Sequence, residues 1–469
     1  MGPRRHSEPT PRKGGGEPIA SRLVSKTEDG ELGHVADWLE SELDGRVVRI
    51  ERQPRWRPVW FADVVRGDEL LELCVRGDRH DFPGIFPLEH EMLCQRLLDE
   101  HGIPVAHVYG WCDKPRAFVM ERVGGANDFA AATEAERDAV MDDYMAILAR
   151  MHQLDVEPFA RAGVTRAATP AQSGDVGMER YERGYRRDKK RPDPFLEFCL
   201  AWLRRHPLRN PGREAVIVWD SGQFHQRDGR ILALLDLELA HIGDPMMDLA
   251  AFRMRDTVIG YGDFQRLYDT YAAHAGHPVD LDAVEHHHIA FTLSNQLAFH
   301  AALAEPPDAS DHMTNLQWCC ETNLFAVEAL ADVLGIELEP VPVPDDEVSP
   351  VAVAHEHLVR SLRPPPDSDE FTRYRTRIAF RLARHLQRFD QVGRQLVDAD
   401  LDDLAELLGR RPATWQDGDA DLERFVLDDD GRHDAELVVL FHRRLWRAQQ
   451  LLGPAGSAMT RHLPIQRFA

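Results

Sequence analysis

Residues Val216–Ala251 read VIVWDSGQFHQRDGRILALLDLELAHIGDPMMDLAA. An apolar run stops at Asp220, the chain turns at Ser221-Gly222, and a second apolar run, Ile231–Leu235, stops at Asp236. This pattern predicts two short neighbouring strands, each ending in an acid, with the amide of Gln223 between them. Two carboxylates and an amide so placed suit Mg²⁺ held against phosphates, because Mg²⁺ takes few protein oxygens and completes its shell with phosphate and water. Phosphoryl transfer also needs a carboxylate to orient the attacking hydroxyl. Taken alone, Asp220 reads equally as a turn acid, and Asp236 as a buried strand-end acid paired to an arginine or to backbone amides. Asp244 and Asp248 read as structural, bonding amides of the loop and of the next helix start.

A chain of 469 residues predicts two or three domains with ample core. The formal charge of −23 argues against a protein that coats nucleic acid. No stretch approaches the ~20 apolar residues of a membrane span, and the N-terminus has no apolar signal core. A soluble, cytoplasmic protein is the expectation. Cys74, Cys94, Cys112, Cys199, Cys319 and Cys320 lack metal-type spacing, and most sit among apolar residues, which predicts buried free thiols. Lysine occurs only at positions 13, 26, 114, 189 and 190, so arginine carries nearly all the positive charge.

Outward from the opening segment, the pattern predicts an α+β chain. Residues 1–26 are rich in Pro, Gly and charge, and are expected to be disordered. Over 27–122, a helix Glu28–Leu43 precedes β-like runs Val47–Ile50, Val59–Val65 and Leu70–Val75. A helix Leu88–Glu100 and strands Val105–Tyr109 and Ala117–Val123 follow, giving a small antiparallel sheet with helix. Over 123–340, helices dominate: Ala130–Gln153, Phe195–Arg204, Phe264–Ala275, Ala283–Leu303 and Asn315–Leu334. A Pro-rich linker is expected over 341–366 and a helical accessory domain over 367–469. In that last segment Phe371, Tyr374, Ile378, Leu382, Leu386 and Phe389 fall on one helical face. There are no internal repeats.

The run LLDLELAHIGDPMMDLAAF, ending at Phe252, resembles the signature of the aminoglycoside-phosphotransferase/choline-kinase-like family. The resemblance extends over roughly residues 28–340. It implies a bilobal protein-kinase-like fold with ATP and Mg²⁺ as cofactors. It implies Asp220 as catalytic base or hydroxyl-orienting residue, and Gln223 and Asp236 as metal ligands, with Glu238 near metal or substrate. Glu91 matches the ion-pairing glutamate of the family's N-lobe helix. Residues Phe118–Val123 match the strand and hinge that meet adenine through backbone groups, which places Glu121 and Val123 at the nucleotide.

This sequence departs from the family in three places. Trp219 stands where the catalytic loop usually has Gly, and the loop is two residues shorter, so Gln223 aligns with the usual Asn. Arg76 occupies the place of the phosphate-contacting lysine; it keeps the charge but with a forked geometry. No glycine-rich loop joins the first two strands. Instead Arg52, Arg55 and Arg57 lie in RQPRWRP, where they read as a phosphate cover, Arg55 among them, or as a solvated basic turn.

The L-D-x-E-x-A-x-x-G-D-P form resembles the branch related to the kinase domains of acyl-CoA dehydrogenase fusion proteins, which implies a hydroxyacyl-CoA acceptor. The basic stretch Arg180–Arg191 offers charge for the phosphates of a CoA thioester; a solvated basic helix is the alternative. The C-terminal segment weakly resembles a small helical accessory subunit of such kinases; the alternative is a cap that stabilises the kinase or a homodimer. An antibiotic (aminoglycoside or macrolide) kinase and a nucleotide-binding pseudokinase scaffold stand beside the leading reading. Neither nucleic acid nor membrane is an expected partner.

Overall fold

Leu71, Leu73 and Val75 alternate with Leu70, Glu72, Cys74 and Arg76, and a strand sends such alternate side chains to opposite faces. In the computed structural model, which describes residues 26–55, 57–79, 84–208, 210–308 and 310–467, this strand lies at the centre of the N-terminal sheet. Helix α1 (Lys26–Leu43) is followed by β1 (Arg46–Arg52), β2 (Val59–Arg66) and β3 (Glu69–Gly77). Then come α2 (Leu88–Glu100), β4 (Val108–Asp113) and β5 (Arg116–Glu121). The sheet is antiparallel, in the order β1-β2-β3-β5-β4. Leu71, Leu73 and Val75 pack with Val35 and Leu39 of α1. Arg76 falls on the other face by the same alternation. Its partner there is Phe118, which packs with Leu88 of α2. Sheet geometry alone therefore aims Arg76 at α2. The expectation for residues 1–25 falls outside the described residues.

The helical lobe comprises α3 (Glu134–His152), α4 (Val156–Ala162), α5 (Val176–Asp188) and α6 (Pro194–Arg205). Next are short strands β6 (Ala215–Ile217), β7 (Phe224–Arg227), β8 (Arg230–Leu234) and β9 (His241–Gly243). Helices α7 (Met246–Ile259), α8 (Phe264–Ala275), α9 (Leu281–Thr292), α10 (Ser294–Ala304) and α11 (His312–Leu334) complete it. One core joins α3, α7 and α8 to β6–β8. The chain is thus α+β, a small antiparallel lobe followed by a helical one.

The strand expectations need correction. The run before Asp220 stops as a strand at Ile217, and β6 pairs with β9, whereas β8 pairs with β7. The two acids sit in loops beyond strands of different sheets. Trp219 adopts a left-handed φ of 58°, which a continuing strand cannot take, and the Val218 and Trp219 N–H groups donate to Asp248 instead of to a neighbouring strand. The run at Val105 begins its strand only at Val108, because Pro104 and Val105 pair with Leu234 of β8. The long helix expected over 283–303 is two helices meeting at Leu293.

The C-terminal segment forms α12 (Ala352–Ser361), α13 (Glu370–Arg388), α14 (Arg394–Leu408), α15 (Trp415–Asp428) and α16 (Asp434–Gln450). Helix α12 lies inside the Pro-rich stretch. These helices are not an appendage: Leu401, Leu422 and Phe441 share a core with Phe195, Phe198 and Leu324 of the helical lobe. Ion pairs Lys189–Glu423 and Arg205–Asp434, both 2.6 Å, reinforce the seam. On α13, Leu382, Leu386 and Phe389 remain exposed, while Ala383 and Arg388 turn inward. The packing face is rotated from the one expected because Arg388 reaches Asp346 and the Gln450 carbonyl.

All six cysteines are free and buried. No helix among the described residues is long and apolar enough to cross a membrane. His90 on α2 and His241 on β9 are buried where the lobes meet, with Phe86 stacked on both. Burial holds each imidazole down to about pH 4, with the Arg180 charge adding to the effect. A histidine kept neutral in the fold stabilises fully above its unfolded pKa, and that contribution is lost as pH falls from about 6.5 toward 4. At pH 5, each such histidine should cost about 2 kcal/mol relative to pH 7.5. Denaturant unfolding of His241→Gln should accordingly lose less stability between those pH values than the parent chain; identical losses would contradict the assignment.

Candidate active site

Gly77 ends β3 because a Cβ there would come within 2.9 Å of the Pro58 side chain; its N–H donates instead to the Pro58 carbonyl at 2.8 Å. That close approach draws the β1–β2 loop onto β3, and it sets Arg57 beside Arg76. Both guanidinium groups grip Glu91 of α2: Arg76 Nε lies 2.8 Å from Oε1 and Arg57 Nη1 3.3 Å from Oε2. Arg76 also reaches across to Asp236 Oδ1 at 2.6 Å, and Arg57 to Glu238. Arg79 Nη1 stands 3.5 Å from Glu238. Burial would push the Asp236 carboxyl up, but Arg76, Arg57 and Arg255 overcome it and hold Asp236 well below the ordinary carboxylate range.

Asp220, Gln223 and Asp236 converge. Gln223 Nε2 lies 3.0 Å from Asp220 Oδ2 and 3.4 Å from Asp236 Oδ2. The Gln223 carbonyl accepts from the Leu235 N–H at 2.9 Å, which fixes the two loops in register. Asp220 is clamped by Arg255 of α7, whose Nη2 lies 2.6 Å from both carboxylate oxygens. Burial pushes the Asp220 carboxyl above its ordinary value; Arg255 opposes that shift, and the charges of Asp236 and Glu238 add to it. Arg255 was not legible in the sequence, since it lies a turn beyond the signature in a helix with no other chemical marker.

The loop that carries Asp220 is held from below. Buried Asp248 accepts the Val218 N–H at 3.2 Å and the Trp219 N–H at 2.6 Å, and lies 3.0 Å from His152 Nε2 of α3. Asp244 faces Arg213 at 3.0 Å; burial would raise its carboxyl, but His287 and Arg213 bring it down to about 2. The structural reading of these two acids therefore holds.

A cleft of about 660 Å³ opens over the cluster, lined by Arg55, Arg76, Glu91, Asp220, Gln223, Asp236 and Glu238, and extends to a wall formed by α10 and α11. Of Arg52 at the end of β1 and Arg55 and Arg57 in the β1–β2 loop, only Arg55 fits the sequence reading of a phosphate cover. Arg57 is buried in ion pairs, and Arg52 lies over the rings of Trp60 and Phe371. Arg180, Arg187 and Lys190 of the basic stretch also line the cleft. Glu121 and Val123 do not line it. They lie where β5 leaves the sheet, and the Val123 carbonyl is 2.7 Å from His225 Nδ1 of β7.

Among the described residues no group of three or more His, Cys, Asp or Glu side chains is placed to hold a metal by itself. The donor set does fit Mg²⁺ held jointly with phosphates: one carboxylate from Asp236 and, with the amide turned over, the Gln223 oxygen aimed at the same point.

Residues 64–286 match the phosphotransferase enzyme family. Over that span, a little under half of the chain, the sequence is similar to this family. Acyl-CoA dehydrogenase family member 11 of Rattus norvegicus is 26% identical over 212 residues, which cover 42% of this chain and 27% of the relative. The Homo sapiens protein of the same name is 25% identical over 185 residues, covering 37% and 23%. The chain thus spans about a quarter of the length of the curated relatives it matches. Among solved structures, macrolide 2′-phosphotransferase MphH from Brachybacterium faecium aligns at 21% identity over 60% of this chain and 100% of that one, with a TM-score of 0.41. Choline kinase LicA from Streptococcus pneumoniae aligns at 15% identity over 64% and 98%, with a TM-score of 0.45.

Trp219 takes a left-handed conformation that glycine adopts at no steric cost. Its indole is compensated by burial against Gly177 of α5, where a Cβ would fall 2.0 Å from the ring. Gly177→Ala should therefore overpack the loop and lower stability by about 1–3 kcal/mol. Trp219→Gly in the same chain should relieve that added strain. Thermal unfolding of the two single variants and the double variant measures the coupling, and simple additivity would contradict the packing account.

Proposed function

We propose that the chain transfers the terminal phosphoryl group of ATP, in a Mg²⁺-dependent reaction, to a hydroxyl of a hydroxyacyl-CoA. The observation that carries the kinase reading is the convergence of Asp220, Gln223 and Asp236 opposite the Arg76–Glu91 pair. Residues 27–122 are assigned to nucleotide binding, with Glu121 and Val123 at the adenine, and 123–340 to catalysis and acceptor binding. Residues 341–366 and 367–469 are assigned to a connecting and an accessory role.

In this mechanism Asp220 accepts a hydrogen bond from the acceptor hydroxyl and orients its oxygen toward the phosphorus. As the new P–O bond forms and the bond to the leaving diphosphate breaks, the hydroxyl proton passes to Asp220. Arg76 and Arg55 supply fixed positive charge to the phosphates, and Glu91 holds Arg76 in place. Arg255 is a positioning residue for Asp220. Asp236 and Gln223 would hold Mg²⁺, which when bound neutralises phosphate charge.

The acyl-CoA acceptor is supported by Arg180 in the cleft, which suits an anionic ligand, whereas Arg187 and Lys190 beside it are paired to Asp188 and Glu305. The name of the matched relatives also associates them with acyl-CoA chemistry. The antibiotic-kinase reading is second, because the matched relatives bear the acyl-CoA dehydrogenase name. The scaffold reading is weakened by the Gln223 geometry, which keeps an amide within reach of both acids.

Asp220→Asn should retain the fold by circular dichroism and lower phosphate transfer to a hydroxyacyl-CoA by roughly 10²–10⁴-fold. Turnover equal to that of the parent chain would remove Asp220 from the mechanism.

A further inference from the structure

Beside the cleft, a second groove of about 580 Å³ runs between α12, α13 and the β1–β2 loop. Arg363, Arg373, Arg377 and Arg384 line it, with Tyr374 and Phe380 between them. The chain carries 79 acidic residues against 56 basic ones, and arginines elsewhere, such as Arg166, Arg213 and Arg447, are paired to carboxylates. These four have no carboxylate within 4.0 Å among the described residues. Arg373 instead donates to the Ser368 carbonyl and Arg384 to Gln387, while Arg377 and Arg384 lie over the Tyr374 and Phe380 rings at 5.9 and 5.4 Å. Glu370 is the one acid on the wall. Four guanidinium groups gathered against a single carboxylate, Glu370, in an acidic chain favour an anionic ligand. Arginine matches phosphate oxygens in bidentate fashion, and aromatic faces between arginines suit a flat ring.

The groove adjoins the catalytic cleft across the β1–β2 loop. Pro54 forms part of its wall and the next residue, Arg55, lines the cleft. Arg52 at the end of β1 lies 5.5 Å over Phe371 of α13. A ligand seated between α12 and α13 would have to cross the β1–β2 loop to reach Asp220.

We propose that this groove is a binding site for a nucleoside carrying several phosphates, formed by the C-terminal helices and not by the phosphotransferase domain alone. Two sources share that chemistry, the nucleotide end of a CoA thioester and a free nucleotide; the first rests on the acceptor proposed above. On that reading the accessory segment is the acceptor's anchor. It holds the phosphate-bearing end while the acyl hydroxyl reaches the cleft.

Isothermal titration of the full chain with CoA, adenosine 3′,5′-bisphosphate and ATP tests this. The parent and Asp220→Asn chains should bind CoA and the bisphosphate equally. The Arg373→Ala/Arg377→Ala double variant should bind both at least tenfold more weakly, with binding in the parent falling as salt rises. Loss of ATP affinity alone in that variant would assign the groove to a free nucleotide. Unchanged affinity for all three ligands would overturn the site. Arg363→Ala, in an exposed turn, provides a second variant should the double substitution disturb α13. The kinase reading fails separately: an active Asp220→Asn chain that still requires Arg373 and Arg377 for CoA would keep the groove and discard the assigned base.

Discussion

The arrangement depends on one buried charge network. Arg57 and Arg76 come from the sheet, Glu91 from α2, and Asp236 and Glu238 from the helical lobe. Ion pairs of this kind stabilise only as a complete set, because removing one partner strands a buried charge at a cost of about 3–5 kcal/mol. The network therefore fixes how the two lobes meet, and it does so at the point where phosphates would enter. Arginine at position 76 suits this role. A lysine offers a single point charge, whereas the guanidinium fork contacts Glu91 and Asp236 simultaneously.

The second constraint is the support beneath Asp220. Asp248 gathers the two loop N–H groups that the left-handed turn at Trp219 leaves without strand partners, and His152 ties Asp248 to α3. Gly177 makes room for an indole where a glycine would need none. The departures from the family pattern at 219, 223 and 76 are thus matched by neighbours that accommodate them.

Much of this was legible in the residues. Helices 88–100 and 264–275 follow directly from apolar spacing and their ends, and the signature through Asp248 drew notice to the loop that carries Asp220. What was not legible depended on distant partners. Asp220 lies beyond its strand because Asp248, 28 positions later, competes for the backbone. Arg57 read as a phosphate cover or a solvated turn residue, yet it is buried in ion pairs where its loop closes onto β3 at Gly77. Helix α15 gave no signal that stood out because its apolar positions are few, and its burial comes from α6 and α14. The Pro-rich stretch read as a linker, yet it holds α12, whose neighbour α13 carries the unpaired arginines.

The central claim is that Arg76, Asp236 and Gln223 form a working nucleotide-phosphate site despite two unusual residue choices. Calorimetric titration with ATP, in the presence and absence of Mg²⁺, tests it most directly. The parent chain should bind ATP more tightly with Mg²⁺, and Asp236→Asn should abolish that difference. ATP binding that is indifferent to Mg²⁺ in the parent, or no ATP binding at all, would contradict the account.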